Sequence, residues 1–425
     1  MMMPNTITVN KSLFWESPRI GCRVDAYING YTSPKDPHLM GIIREVDFNQ
    51  IEQPVADGGL SRLIRSENGG HSWQARPWVR TSDKTDNGSC QNYLQFILTD
   101  QRNDLCLLFT LRRWVKSPQT AARDIKKYSR QLYQISHDGG KTWGKERTMI
   151  QTGPEFNQTH YMRNIRFGCN AGFISNTPLQ LRDGSLLLPF HIWPWNEREQ
   201  KADPNQKTSG VVTAHWKDTC SGIDWDMSEY LSITEESGCL SEITLAERND
   251  GSILGIMRAS SPDSPGKFYS ISHDHGQTWS QVQRLSFDNG DPLYSPSSIS
   301  HLIRSSCNGK LYWIGNILSQ KGANYLNLSS NRHRFILQIA EVDEITCTIR
   351  KQTVTTIDES IDPENPKEYS NAWIYEDRDT GYFILTMCQA CALPFSHHSV
   401  PSSYCGPFMT KEAFTSNSYK YEIAI

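Results

Sequence analysis

SHDGGKTW at Ser136–Trp143 has two near-copies in this chain, SENGGHSW at Ser66–Trp73 and SHDHGQTW at Ser272–Trp279. The shared pattern is Ser-x-Asp-x-Gly-x-Thr-Trp, from which Asn68 and Ser72 depart in the first copy. Each part has a physical role. The Asp side chain accepts hydrogen bonds from backbone N–H groups of its own turn. The Gly takes a positive φ that a side chain would strain. The Trp gives a small turn an apolar body to bury. Three such octamers in one chain mark a repeated unit rather than a coincidence. They start 70 and then 136 residues apart, and a stretched version, HWKDTCSGIDW at His215–Trp225, falls inside the double gap.

The octamer resembles the Asp-box of sialidases and related β-propellers, where it links the outer two strands of a blade. The resemblance implies an all-β fold, a six-bladed β-propeller with Asp-box turns, built as one domain over residues 1–425. A period near 70 divides 425 residues about six times, and radial repetition lets one domain grow by adding blades. Strand signals fit the same frame. Asp183-Gly184, Asp250-Gly251 and Asn308-Gly309 each separate two apolar runs, the strongest short hairpin cue. WIYEDRDTGYFILTMC repeats the idea near the C-terminus. The predicted blades span roughly 15–75, 88–145, 170–227, 238–285, 294–358 and 368–425, with a strand near Thr6–Val9 pairing YKYEIAI to close the ring. The alternative is seven blades, with the first 50 residues forming one of their own.

Composition narrows the function. Net charge is −3, so no global basic field points to nucleic acid. No run of about 20 apolar residues is present, which excludes a helical membrane span. The N-terminus lacks a basic stretch followed by an apolar one, so no signal peptide is visible. The compartment stays open, cytoplasmic or secreted after removal of a leader. Eleven scattered Cys fit reduced structural thiols. Cys388-x-x-Cys391 before His397 and His398 is half of a zinc pattern without a second half, and is read as buried thiols. No metal and no cofactor is expected. The Ser-His-Asp runs at Ser136–Asp138 and Ser272–Asp274 sit inside the structural turn and make no triad.

A propeller by itself says nothing about activity. The order of polar residues along the chain is similar to that of the retaining exo-α-sialidases, and the resemblance implies their site. Three arginines would clamp the substrate carboxylate, because planar guanidinium forks make strong charge-assisted bonds to it. Arg23 in CRVDAYI stands where the family has Arg-Ile-Pro, with Val24 and Asp25 as departures. Glu242 and Arg258 stand 16 residues apart around Asp250-Gly251, the family's Glu-to-Arg spacing. Arg334 in RFILQIA is the third, with Arg332 as competitor. Tyr369-Ser370 in EYSNAWIYE matches the nucleophile motif of the last blade. A neutral phenol suits an anomeric carbon that carries a carboxylate. Its ordinary pKa near 10 calls for a base such as Glu242. The acid/base catalyst would be Asp57 in VADGGLSRLIRS, with Asp47 and Asp25 as competitors.

The expected activity is therefore hydrolysis of terminal sialic acid, or a related nonulosonic acid, from a glycoconjugate with retention of configuration. The expected partner is a sialylated or other acidic glycan. Two rivals stand beside it. A lyase or other glycosidase acting on uronic-acid glycans would use His160, His191 and Tyr161. A non-catalytic glycan-binding propeller is the other, and Tyr369 remote from all three arginines would favour it. Trp193, Trp195, His191 and His160 are candidates to line a sugar pocket.

Overall fold

The computed structural model describes residues 7–48, 60–77, 83–85, 88–115, 127–202, 206–217, 220–235, 237–260, 266–318, 334–360, 367–391 and 410–425. Their strands form six antiparallel sheets of four or five strands that follow one another along the chain, with three two-stranded sheets beside them. From the axis outward, blade 1 is Cys22–Tyr31, Leu39–Asp47, Leu60–Ser66 and Gln74–Ala75. Blade 2 is Gly88–Asp100, Leu105–Val115, Ser129–Ser136 and Arg147–Thr148, with Asp83–Thr85 beside the first. Blade 3 starts with Gly172–Ile174 and Leu179–Gln180, both on Leu186–Ile192, followed by Thr208–Trp216 and Ile223–Met227. Blade 4 is Leu240–Glu247, Ile253–Ala259, Lys267–Ser272 and Gln283–Arg284. Blade 5 is His301–Arg304, Leu311–Gly315 and Ile336–Asp343, with Thr348–Ile349 and Thr355–Glu359 on the last of these. Blade 6 is Trp373–Glu376, Phe383–Cys388 and Ser418–Ala424, completed by the N-terminal strand Thr8–Trp15.

The fold is a six-bladed β-propeller, closed by strand exchange between the chain ends. Thr8 pairs with Ala424 and Leu13 with Tyr419, and a bulge follows before Trp15. The seven-blade alternative fails for this reason. Residues 7–48 are divided between the outer strand of blade 6 and the inner strands of blade 1.

The apolar core is a ring of clusters between blades, not one body. Met40 and Ile42 of blade 1 meet Leu94 and Leu108 of blade 2. Phe109 of blade 2 meets Phe190 and Trp225 of blade 3. Middle strands are buried on both faces, so they read as continuous apolar runs. In LYWIG, Leu311 and Trp313 face blade 4, while Tyr312 and Ile314 face blade 6. That is period-two alternation with a neighbour on either side.

All three octamers link the outer two strands of their blades, and so does the stretched segment between Thr208–Trp216 and Ile223–Met227. In the second, Asp138 Oδ1 accepts from Ser136 Oγ at 2.8 Å and from the Thr142 N–H at 2.8 Å, and Ser136 Oγ accepts from the Gly140 N–H at 2.8 Å. Gly140 sits at φ +77°, where any side chain would run into Met40 Sδ of the preceding blade. The turn thus welds one blade to the last. Burial pushes Asp138 up, but the hydrogen bonds from Thr142 outweigh it and hold the carboxyl at about 2. No helix among the described residues is long and apolar enough to cross a membrane.

Candidate active site

Antiparallel register brings the start of each inner strand level with the end of its neighbour. Ser241 pairs with Arg258 and Arg258 with Lys267, so blade 4 delivers Glu242, Arg258 and Lys267 to one end of the ring. Arg23 opens the inner strand of blade 1, and Arg334 precedes the third strand of blade 5. These ends form the mouth.

Glu242 lies at a bulge, where the register shifts between Ser241 and Thr244, and its φ is +48°. A left-handed non-glycine at a bulge is a costly way to re-aim a side chain, and such sites cluster where function needs them. The carboxylate accepts from Arg258 Nη1 at 2.6 Å. Burial pushes Glu242 up, but Arg258, His191 and Lys207 together outweigh it and hold it at about 2.

Ser297 joins two of the arginines. Its hydroxyl accepts from Arg258 Nε at 2.8 Å, and its carbonyl accepts from Arg334 Nη2 at 2.7 Å. Arg334, 2% exposed, also donates to Ser370 Oγ at 3.1 Å. The loop carrying Ser297 is itself clamped. Lys267 Nζ is fully buried and donates to the Pro296 carbonyl at 2.9 Å and to the carbonyl of Ser298. Burial, then Arg258 and Arg334, push this ammonium well below its ordinary range.

The third arginine arrives from the other side. Arg23 Nη2 donates to Asp25 at 2.8 Å. Glu368 lies within the fields of both Arg334 and Arg23, though burial prevails and raises its carboxyl. Shared neighbours therefore link Arg258 to Arg334 through Ser297, and Arg334 to Arg23 through Glu368. Deeper along the axis, Tyr27 meets Trp373 at 5.4 Å and Trp373 meets Phe96 at 4.9 Å between ring centroids. Blades 1, 6 and 2 each supply one ring to this floor.

The structure treats the remaining sequence candidates differently. The Tyr369 phenol is not beside Glu242. Tyr369 is 3% exposed and sits in the apolar cluster between blades 5 and 6. Its phenol hydrogen-bonds the Asp358 carboxylate, and burial followed by Asp358 raises its pKa. Alternation is the reason. The Tyr369 N–H donates to the Arg334 carbonyl at 2.7 Å. With that pairing, Glu368 and Ser370 face the arginines and Tyr369 faces away. Asp57 and Arg332 lie outside the described residues. Of the competing acids, Asp25 serves Arg23, and Asp47 pairs with exposed Arg19 at 2.8 Å.

The lyase residues do not assemble. Tyr161 is fully buried and its hydroxyl donates to the Ser129 carbonyl at 3.3 Å, while His160 packs against Phe156 with the rings tilted. His191 does reach the mouth, set against Phe173 and Trp193 and within the field of Glu242. Sequence reasoning passed over Lys267, Ser297, Glu368 and Lys207. Only Glu368 carried a signal, its place one residue before Tyr369 in a strand-like stretch.

The geometry can be set beside known proteins. The sequence profile of the BNR repeat-like domain matches residues 61–380. No curated protein matches the chain in sequence. Among solved structures, a Dyadobacter fermentans protein of unknown function superposes with TM-score 0.60 at 12% identity, over 100% of both chains. The NanB sialidase of Streptococcus pneumoniae gives TM-score 0.58 at 12% identity, over 97% of this chain and 70% of that one. The Trypanosoma rangeli sialidase gives 0.57 at 10%, over 97% and 59%. At such identities these likenesses concern the fold. With the profile spanning most of the repeats, the chain belongs to the BNR repeat-like domain family.

Proposed function

We propose that the mouth recognises the carboxylate of a terminal acidic sugar, a sialic acid or close nonulosonic relative, and that the chain hydrolyses its glycosidic bond. One observation carries this reading: Arg258, Arg334 and Arg23, from blades 4, 5 and 1, gather around shared neighbours at one end of the axis. A substrate carboxylate would draw Arg258 away from Glu242 and free that carboxylate to act as a base. In hydrolysis the Tyr369 oxygen attacks the anomeric carbon and passes its proton to Glu242. Asp57 protonates the departing oxygen and then activates the water that releases the sugar. For this the phenol must leave Asp358.

That last requirement favours a second reading, recognition without turnover, because Tyr369 and Glu242 are each held by other partners. One experiment separates the two. Turnover of a fluorogenic sialic-acid glycoside and calorimetric binding of free sialic acid are measured for the wild type, Arg258→Met and Tyr369→Phe. Hydrolysis requires turnover that falls by about a hundredfold or more in Tyr369→Phe. Saturable binding that Arg258→Met abolishes, with no turnover by the wild type, selects recognition alone. Neither binding nor turnover refutes both.

A further inference from the structure

The cations of the mouth are not equally committed. Arg258 donates to Glu242 at 2.6 Å and Arg23 to Asp25 at 2.8 Å. Arg334 donates to the Ser297 carbonyl at 2.7 Å, and the Lys267 ammonium to the Pro296 carbonyl at 2.9 Å. Lys207 differs. Among the described residues its ammonium makes no ion pair and no hydrogen bond. It lies instead over the Trp193 ring, 5.7 Å from the centroid.

The backbone sets its place. Ile192 pairs with Thr208, so Trp193 and Lys207 follow opposite each other at the mouth end of blade 3. The Lys207 carbonyl accepts from the Leu240 N–H of blade 4 at 3.0 Å, two residues before Glu242. The ammonium lies within the fields of Glu242 and Arg258. Arg258 already touches that carboxylate, so Lys207 is not its direct partner. Trp193 is half-buried and buttressed, with His191 edge-on at 5.3 Å and Phe173 tilted at 6.2 Å between ring centroids. An aromatic face held in place by other rings suits the apolar face of a sugar. The half-buried ammonium has three donors and no acceptor in contact. Burial lowers its pKa, with Glu242 opposing. A cation partly stripped of water and left without an acceptor is costly, and an arriving anion relieves that cost.

We infer that Lys207 and Trp193 form a second subsite of the mouth, which takes a second acidic sugar linked to the first. Trp193 faces its ring and Lys207 receives its carboxylate. This rests on the proposed carboxylate clamp and narrows its substrates to glycans in which one acidic sugar is joined to another. A neutral second sugar would use Trp193 and leave the ammonium without a partner. An anion at Lys207 displaces no ion pair, whereas one at Arg258 or Arg23 must compete with Glu242 or Asp25.

The test uses the full chain and two sialosides linked through sulfur, which resist hydrolysis. One joins sialic acid to galactose, the other joins it to a second sialic acid. Calorimetry gives the ratio of the two affinities in each protein. The wild type is expected to prefer the diacid about tenfold, the scale of one hydrogen bond to a charged group. Lys207→Met and Lys207→Gln are each expected to erase that preference. The ratio is read within one protein, so a loss of affinity common to both ligands cannot imitate the result. Equal affinities in the wild type, or a preference that survives in both variants, overturn the inference. The clamp still stands in those cases if Arg258→Met abolishes binding of both sialosides. A wild type that binds neither overturns the clamp, and this subsite with it.

Discussion

Replacing Arg258 with Met removes the principal partner of a buried carboxylate, and the consequence can be worked from the structure. Glu242 is held at about 2 instead of its ordinary 4.5. At 1.36 kcal/mol per pKa unit this is about 3 kcal/mol of stability. Because the folded pKa is depressed, that contribution is fully present above the unfolded pKa near 4.5 and is lost as pH falls through about 2. In Arg258→Met, only His191 and Lys207 oppose the burial of Glu242, so its pKa rises. Leaving one member of a buried pair uncompensated costs about 3–5 kcal/mol at neutral pH. The deficit should shrink as pH falls toward about 5, where Glu242 can take a proton. Arg258→Met/Glu242→Gln should regain more than half of the loss, since removing both charges removes the unpaired one. Urea unfolding at about pH 7.5 and about pH 5 reads all of this. A deficit of the same size at both pH values, or a double variant no better than Arg258→Met, would refute the claim that the Glu242–Arg258 pair shapes the mouth electrostatically.

Three other outcomes follow from the contacts. Gly140→Ala meets both a positive φ and Met40 Sδ, whereas Gly251, also at positive φ, has open space around it. Thermal melts should show Gly140→Ala losing about 1–3 kcal/mol and Gly251→Ala about 1 kcal/mol; equal losses would mean that the turn does not press on blade 1. Asp138→Asn should be nearly neutral, because Asn68 Oδ1 accepts from the Ser72 N–H at 2.9 Å in the first turn. Asp138→Ala should cost about 1–2 kcal/mol through its lost backbone bonds, measured by the same melts. If the proposed function holds, Lys267→Met should weaken sialic-acid binding about tenfold by calorimetry, through release of the Ser297 loop. It should scarcely lower stability, since a buried ammonium is costly to keep. Unchanged affinity would deny Lys267 that positioning role.

Much of the architecture was readable before any coordinate. The octamers, the Asp-Gly and Asn-Gly hairpins and the closing N-terminal strand depend on local turn chemistry and period-two patterning, which a linear chain displays directly. The pairing of Glu242 with Arg258 has a local basis too, since one hairpin in one blade joins them. The direction of Tyr369 was not. Its parity is set by a hydrogen bond to the Arg334 carbonyl of another blade, and a one-residue change of pairing would have turned the phenol to the mouth. Lys267, Ser297 and Glu368 gain meaning only from neighbours on two or three blades. Local turns and alternation are properties of neighbouring residues, so sequence alone determined the blades. Convergence at the axis depends on how six sheets assemble, and only the closed ring decided which side chains meet there.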